Sequence, residues 1–228
     1  RDTEAWHAER FGFAAPNTRF IHGFIEDLRS AGIADDSVDV VISNCVVNLS
    51  PRKDQVLAEV FRVLKPGGEF YLSDVVCSRR LPEAVATDPI LYAECLGGAL
   101  YERDFIDLAR QAGFTEAREA ARSCISIRSD GIKAKVDGAR FSSVTYRLFK
   151  CAELDPGREN YGDIVSYRGG IPGADAALPF TRRLSFESGK ATPVCRNTLK
   201  MIEASRFSAH FDVVKRGEVH LGAFSEAD

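Results

Sequence analysis

Residues 38–74 read VDVVISNCVVNLSPRKDQVLAEVFRVLKPGGEFYLSD, and this one stretch holds an architecture in miniature. Val38-Asp39-Val40-Val41-Ile42-Ser43 is apolar and β-branched, the composition of a strand buried on both faces of a parallel sheet. Ser50-Pro51 follows, an N-cap residue with proline at the first helical position. Val56, Leu57, Val60, Phe61, Val63 and Leu64 then keep the 3.6-residue rhythm of an amphipathic helix. Pro66-Gly67-Gly68 is expected to stop that helix and turn the chain into a second strand, Glu69-Phe70-Tyr71-Leu72-Ser73-Asp74. Strand, helix, strand is a βαβ unit, which calls for a parallel sheet with ligands at the carboxyl ends of its strands.

Working outward, residues 3–11 read as a helix closed at Gly12, and residues 18–23, after the Pro16-Asn17 turn, as a short strand. Downstream, residues 81–96 and 102–112 read as helices, with Gly113 as a C-terminal cap. An extended region at 114–127 and a strand at 142–149 complete this part. From Cys151 the chain changes to short extended runs broken by Asp155-Pro156-Gly157, Gly169-Gly170, Pro172-Gly173 and Ser188-Gly189. The expected fold class is therefore α/β, a partial Rossmann-like sheet over residues 1–150 with a smaller strand-rich domain over 151–228.

At 228 residues, 45% hydrophobic and 28% charged, the chain has the composition of a globular protein with a substantial core. A net charge of −3 with no basic run longer than a pair argues against nucleic acid as a partner. No segment approaches the roughly 18 apolar residues needed to cross a bilayer, so no membrane partner and a cytoplasmic setting are expected. Six cysteines without a CxxC pair indicate neither a disulfide framework nor structural zinc. The four histidines are scattered without ligand spacing, and Trp6 reads as a helix-packing anchor.

The positions that carry chemistry cluster after the strands. Ile25-Glu26 places an apolar residue and a carboxylate where a nucleotide base and its exocyclic amine would meet them, or else forms a solvated turn. Asn44 ends the Val38 strand. Cys45 and Cys95, fifty positions apart, each follow an element and precede an apolar segment. Each alone fits a buried inert thiol as well as a ligand.

His22-Gly23-Phe24-Ile25-Glu26-Asp27-Leu28, Ser43-Asn44-Cys45-Val46-Val47-Asn48-Leu49 and Glu94-Cys95-Leu96-Gly97-Gly98-Ala99-Leu100 together resemble the pattern of arsenite methyltransferases. Ser166-Tyr167-Arg168-Gly169-Gly170-Ile171-Pro172-Gly173 and Val194-Cys195-Arg196-Asn197-Thr198 extend the resemblance over nearly the whole chain. It implies a class I methyltransferase that moves a methyl group from S-adenosylmethionine to trivalent arsenic held by Cys45 and Cys95. Ile25, Glu26 and Asn44 would then address the cofactor. It also implies arsenite or its glutathione conjugate as substrate, a third sulfur from glutathione or another cysteine, and glutathione or thioredoxin as reductant. Trivalent arsenic is thiophilic, so paired sulfurs suit it as they suit soft metals.

Gly97 and Gly98 are expected to allow a tight turn behind Cys95, and Glu94 either orients that sulfur or is surface charge. Cys77 is a lesser candidate for the site, Cys195 either a handling thiol or a core residue, and Cys124 and Cys151 structural. The sequence departs from the family in lacking a glycine-rich loop after a first strand, an acidic residue after a second, and the N-terminal cysteines. Weak cofactor binding and an incompetent catalyst follow as expectations for a truncated form. Two other readings stay open. One is a methyltransferase for a small organic acceptor, which needs no paired sulfurs, and the other is a non-enzymatic thiol module that sequesters or senses metalloid.

Overall fold

The computed structural model describes residues 3–225. The chain opens with α1 (Glu4–Arg10), which ends two residues before Gly12 at φ +74°. Trp6 is not the anchor expected: it is 53% exposed, and its ring lies against His7 and Arg10 of its own helix. Residues 18–23 are exposed and form no strand. A strand is held by a neighbour's ladder of hydrogen bonds, and among the described residues none lies beside this run.

β1 (Val38–Asn44), α2 (Lys53–Val63) and β2 (Leu64–Cys77) form the expected βαβ unit, with β1 and β2 parallel. Val56, Leu57, Val60 and Val63 are buried, as their spacing predicts. Three details differ. First, β1 is an edge strand, so its burial alternates and Ile42 is 76% exposed, where two-sided burial was expected. Second, the helix starts at Lys53 rather than Pro51, because Val47–Leu49 makes a 3-10 turn and the Ser50 hydroxyl accepts from the Arg52 N–H at 3.0 Å. Third, Pro66-Gly67-Gly68 is no turn but a bulge inside a long strand. Gly67, at φ +78°, donates to the Lys150 carbonyl, and the register with β1 jumps between Val38–Leu64 and Val40–Glu69.

The helix expected over 81–96 is split into α3 (Glu83–Ala86) and α4 (Pro89–Ala93). The Asp88 carboxylate accepts from the N–H groups of Ile90 and Leu91, and Pro89 cannot continue a preceding helix. β3 (Leu100–Tyr101) pairs parallel with the end of β2, and α5 (Glu102–Ala112) stops at Gly113, φ +115°, as expected. β4 (Ala117–Ile125), the unexpected α6 (Asp130–Val136) and β5 (Phe141–Phe149) follow. β5 runs antiparallel between β2 and β4, giving the order β1-β2-β5-β4 with β3 against β2.

Beyond residue 150 come β6 (Ile164–Tyr167), β7 (Ala177–Pro179), β8 (Ser185–Glu187), β9 (Ala191–Pro193), α7 (Arg196–Ala204) and β10 (Phe211–Val214). The region is strand-rich, in a β10-β6-β9 sheet and a β7-β8 hairpin, but α7 was not anticipated. α7 lies so close to β2 that a Cβ on Gly67 would stand 1.8 Å from the Ala204 carbonyl oxygen.

One apolar core, with Leu57, Phe70, Leu72, Phe105, Phe114 and Leu148, fills the space between the sheet and the α2 and α5 helices. A second, around Tyr167, Phe180, Phe186 and Leu199, fills the C-terminal region. A third, with Val75, Cys77, Leu91, Leu96 and Phe141, lies at the carboxyl end of β2. Across the sheet's far face runs a buried polar seam. The Arg147 guanidinium donates to Glu69 and to the Phe180 carbonyl, and stacks 4.6 Å from the Phe180 ring; Arg206 adds a second bond to Glu69 at 2.7 Å. Arg118, the register partner of Arg147, pairs with Glu116 and donates to Cys195 Sγ at 3.3 Å.

Candidate functional site

The carboxyl ends of β1 and β2 carry the site. Asn44 is the last residue of β1, exposed, and in register with Ser73. The next residue, Cys45, donates its N–H to the Ser73 carbonyl at 2.9 Å and then leaves the strand at φ +55°. Cys95 follows α4, where its N–H reaches the Tyr92 carbonyl at 3.0 Å, and takes φ +60°. Both cysteines therefore hold the left-handed backbone that glycine adopts at no steric cost and other residues adopt only under constraint. Cys95 Sγ lies 3.8 Å from the carbonyl oxygen of Cys45, so residues fifty positions apart in sequence meet.

The thiols sit in an acidic field. Partial burial and the nearby Asp74 carboxyl push the Cys45 thiol above its ordinary value. Burial likewise raises Cys95, followed by Asp74, Cys45 and Glu94. Both are thus protonated at neutral pH. Asp74 itself is buried, and desolvation lifts its carboxyl while the N–H groups of Val75 and Asn48 and the Lys53 ammonium oppose that shift. Burial also pulls the Lys53 ammonium down, and its Nζ donates to the Ser50 carbonyl at 2.9 Å.

Of the other sequence candidates, Ile25 is half-buried against the core that contains Val47, and Glu26 accepts a hydrogen bond from the Ser50 hydroxyl. Both thus flank the loop that follows Cys45. Glu94 is exposed, and its link to Cys95 is the electrostatic one given above. The two glycines after Cys95 serve close approach rather than a left-handed turn. A Cβ on Gly97 would meet Tyr92 N at 2.9 Å, and one on Gly98 would meet the Asn48 carbonyl oxygen at 2.1 Å.

Cys77 is buried in the third core, against which Cys95 also packs. Cys151 is half-buried, its thiol pushed up to about 11 by desolvation. Cys124 is exposed, contrary to the structural role expected of it, because its β4 position faces out of the packed layers. Cys195 is the buried N-cap of α7, accepting from the Thr198 N–H at 3.4 Å, which makes it a core residue. Sequence reading passed over Asn48 and Asp74. The only signal was an acid ending the apolar Phe70 run, and that signal does not say which loop the acid will hold.

Among the described residues no group of three or more His, Cys, Asp or Glu is arranged to hold a metal ion, all six cysteines are free, and no helix is long and apolar enough to cross a membrane.

A methyltransferase-domain family model matches residues 2–119, and a model of the arsenite methyltransferase C-terminal domain matches residues 162–226. An arsenite methyltransferase of Aquipseudomonas alcaligenes is 51% identical over 96% of this chain and 63% of its own length. The human arsenite methyltransferase is 42% identical over 93% of the chain and 56% of its own. The chain therefore spans less than two thirds of these curated relatives. The crystal structure of an arsenic(III) S-adenosylmethionine methyltransferase from Chlamydomonas reinhardtii superposes with a TM-score of 0.92 at 43% identity, covering 98% of this chain and 74% of that one. A sheet of this order, two cysteines meeting at its strand ends and a matching C-terminal region all agree with these likenesses, and the chain belongs to the arsenite methyltransferase family.

Proposed function

We propose that this protein methylates trivalent arsenic, with S-adenosylmethionine as methyl donor and Cys45 and Cys95 as the arsenic ligands. The observation that carries the reading is the meeting of two cysteines, both held in left-handed backbone, at the carboxyl end of a parallel βα unit. Each thiol condenses with an As–OH group: an As–S bond forms, an As–O bond breaks, and the thiol proton leaves with the hydroxide as water. The lone pair stays on arsenic. Two sulfurs from the protein fix the direction of that lone pair, and positioning of this kind supplies several kcal/mol of barrier lowering without a general base.

When bound, the cofactor supplies an electrophilic methyl on a sulfonium centre. The residues present fit its adenine end: Ile25 offers an apolar wall, and Glu26 offers a carboxylate whose Oε1 takes the Ser50 hydroxyl, leaving Oε2 for an amine. Asn44 stands exposed at the strand end beside Cys45. Glutathione, as conjugate or as third sulfur, and a thiol reductant such as thioredoxin complete the proposed cycle in the cytoplasm. We assign residues 1–150 to the catalytic domain and 151–228 to a separate C-terminal domain.

The test is arsenite binding before and after alkylation of Cys45 and Cys95. Loss of binding on modification supports the reading. Retained binding sinks it, and leaves the sheet to a methyltransferase for an organic acceptor.

A further inference from the structure

The loops that carry the two cysteines are exposed where their chemistry requires it, at Cys45, Val46 and Leu49 on one side and Glu94 on the other. Exposed loops drift, yet a chelate needs its donors held to within about 0.5 Å. Something must supply a fixed reference between them, and the structure holds one buried residue in that position.

Asn48 is 5% exposed. Its N–H donates to Asp74 Oδ2 at 3.0 Å and its side-chain Nδ2 to the Val75 carbonyl at 2.7 Å, so one residue is bonded twice to the end of β2. Its own carbonyl lies against Gly98, at a spacing that leaves no room for a side chain. The Asp74 carboxylate is in turn held by the Val75 N–H at 2.8 Å. Nearby, the Tyr92 hydroxyl donates to the Leu49 carbonyl at 2.8 Å, joining the same two loops at the surface.

We propose that Asn48, seated between Asp74 and Gly98, is a positioning residue that sets the spacing of the Cys45 and Cys95 sulfurs. The inference rests on reading those sulfurs as arsenic ligands. A buried amide that served only to end a 3-10 turn would need neither its side-chain bond to Val75 nor the missing Cβ at position 98. A merely apolar filler would meet no polar partner there. The arrangement has the form of a rivet: one end is fixed in the sheet, the other admits the Cys95 loop to backbone distance.

The test uses the whole chain and phenylarsine oxide, a trivalent arsenical with two exchangeable positions. Affinity is measured by titration, and the protected thiols are identified by iodoacetamide labelling and mass spectrometry. In the unsubstituted protein Cys45 and Cys95 are both protected. If either stays open to label, the dithiol reading itself fails, separately from the proposal. Asn48→Ala and Gly98→Ala each lower affinity by about tenfold or more, because the second sulfur's effective concentration falls, and one of the two cysteines regains labelling.

In the same variants the labelling rates of free Cys45 and Cys95 stay unchanged and Cys195 stays shielded, which a general loss of structure would not allow. Tyr92→Phe loses one inter-loop bond without opening the core and binds about threefold more weakly. Affinity equal to the unsubstituted chain in Asn48→Ala, or in Gly98→Ala should Asn48→Ala not fold, overturns the proposal.

Discussion

The site at the strand ends and the buried seam on the far face use the same kinds of group in opposite ways. In the seam, Glu69 is bonded by Arg147 and Arg206, and Cys195 is bonded by Arg118 and the Thr198 N–H. Every one of these partners is spent on another part of the chain. At the strand ends, Cys45 and Cys95 share one weak contact, from the Cys95 sulfur to the Cys45 carbonyl, and have acidic neighbours and access to solvent. A sulfur's role is decided by what its surroundings leave unsatisfied: the seam engages the Cys195 sulfur and becomes structure, while the strand ends leave two thiols available.

Four measurements break or sharpen that contrast. The largest effect is expected in the seam, where Arg147→Ala leaves a buried carboxylate short of a partner. Chemical denaturation should show a loss of about 3–5 kcal/mol, with the arsenical affinity of the folded fraction intact. A loss below about 1 kcal/mol would mean that the seam is not the structural half of the pair.

Next, Cys45→Ser or Cys95→Ser turns a chelate into a single sulfur. Phenylarsine oxide should bind on the order of a hundredfold more weakly, while stability stays within about 0.5 kcal/mol. Equal binding by both single variants removes the paired-sulfur claim.

Smaller again is Cys195→Ala, which deletes a helix cap and the acceptor of a buried guanidinium. It should cost about 1–2 kcal/mol of stability and leave arsenical titrations unchanged. A fall in affinity instead would move Cys195 into the site.

The smallest effect is one of pH. Because burial and Asp74 hold the Cys45 and Cys95 thiols above their ordinary values, the thiolate fraction, and with it the alkylation rate, should go on rising beyond pH of about 8.5. Equilibrium affinity for phenylarsine oxide should stay flat below that range, since each thiol proton departs with a hydroxide and no net proton is released. A rate plateau near neutrality would reveal a cationic neighbour that the acidic field does not provide.

How much of this was legible beforehand depended on whether the signal was local. The βαβ unit over residues 38–74 and the Gly113 stop were readable because periodicity and glycine conformation act over a few residues. Serine-proline at 50–51 and aspartate-proline at 88–89 carry the same capping signal, yet only the second opens a helix. At the first, the 3-10 turn over Val47–Leu49 takes up the chain and delays the start. The strand expected at residues 18–23 had the right composition and no neighbour to pair with. The α7 helix was hidden among turn-rich segments and is stabilised by its packing against β2.

For the site, resemblance singled out the two cysteines, but a gap of fifty residues says nothing about distance. The partners that bring the loops together were invisible, since Asp74 and Asn48 are 26 residues apart and meet only through the sheet.

The left-handed backbone at Cys45 and Cys95 also bears on how such a protein changes over generations. Glycine would occupy either position more comfortably than cysteine does, by about 1–2 kcal/mol. Selection for foldedness alone would therefore favour glycine at both positions and silently erase the thiols, and only a demand for the sulfurs themselves opposes that drift. A lineage freed from that pressure should lose these two sulfurs before it loses the buried one at 195.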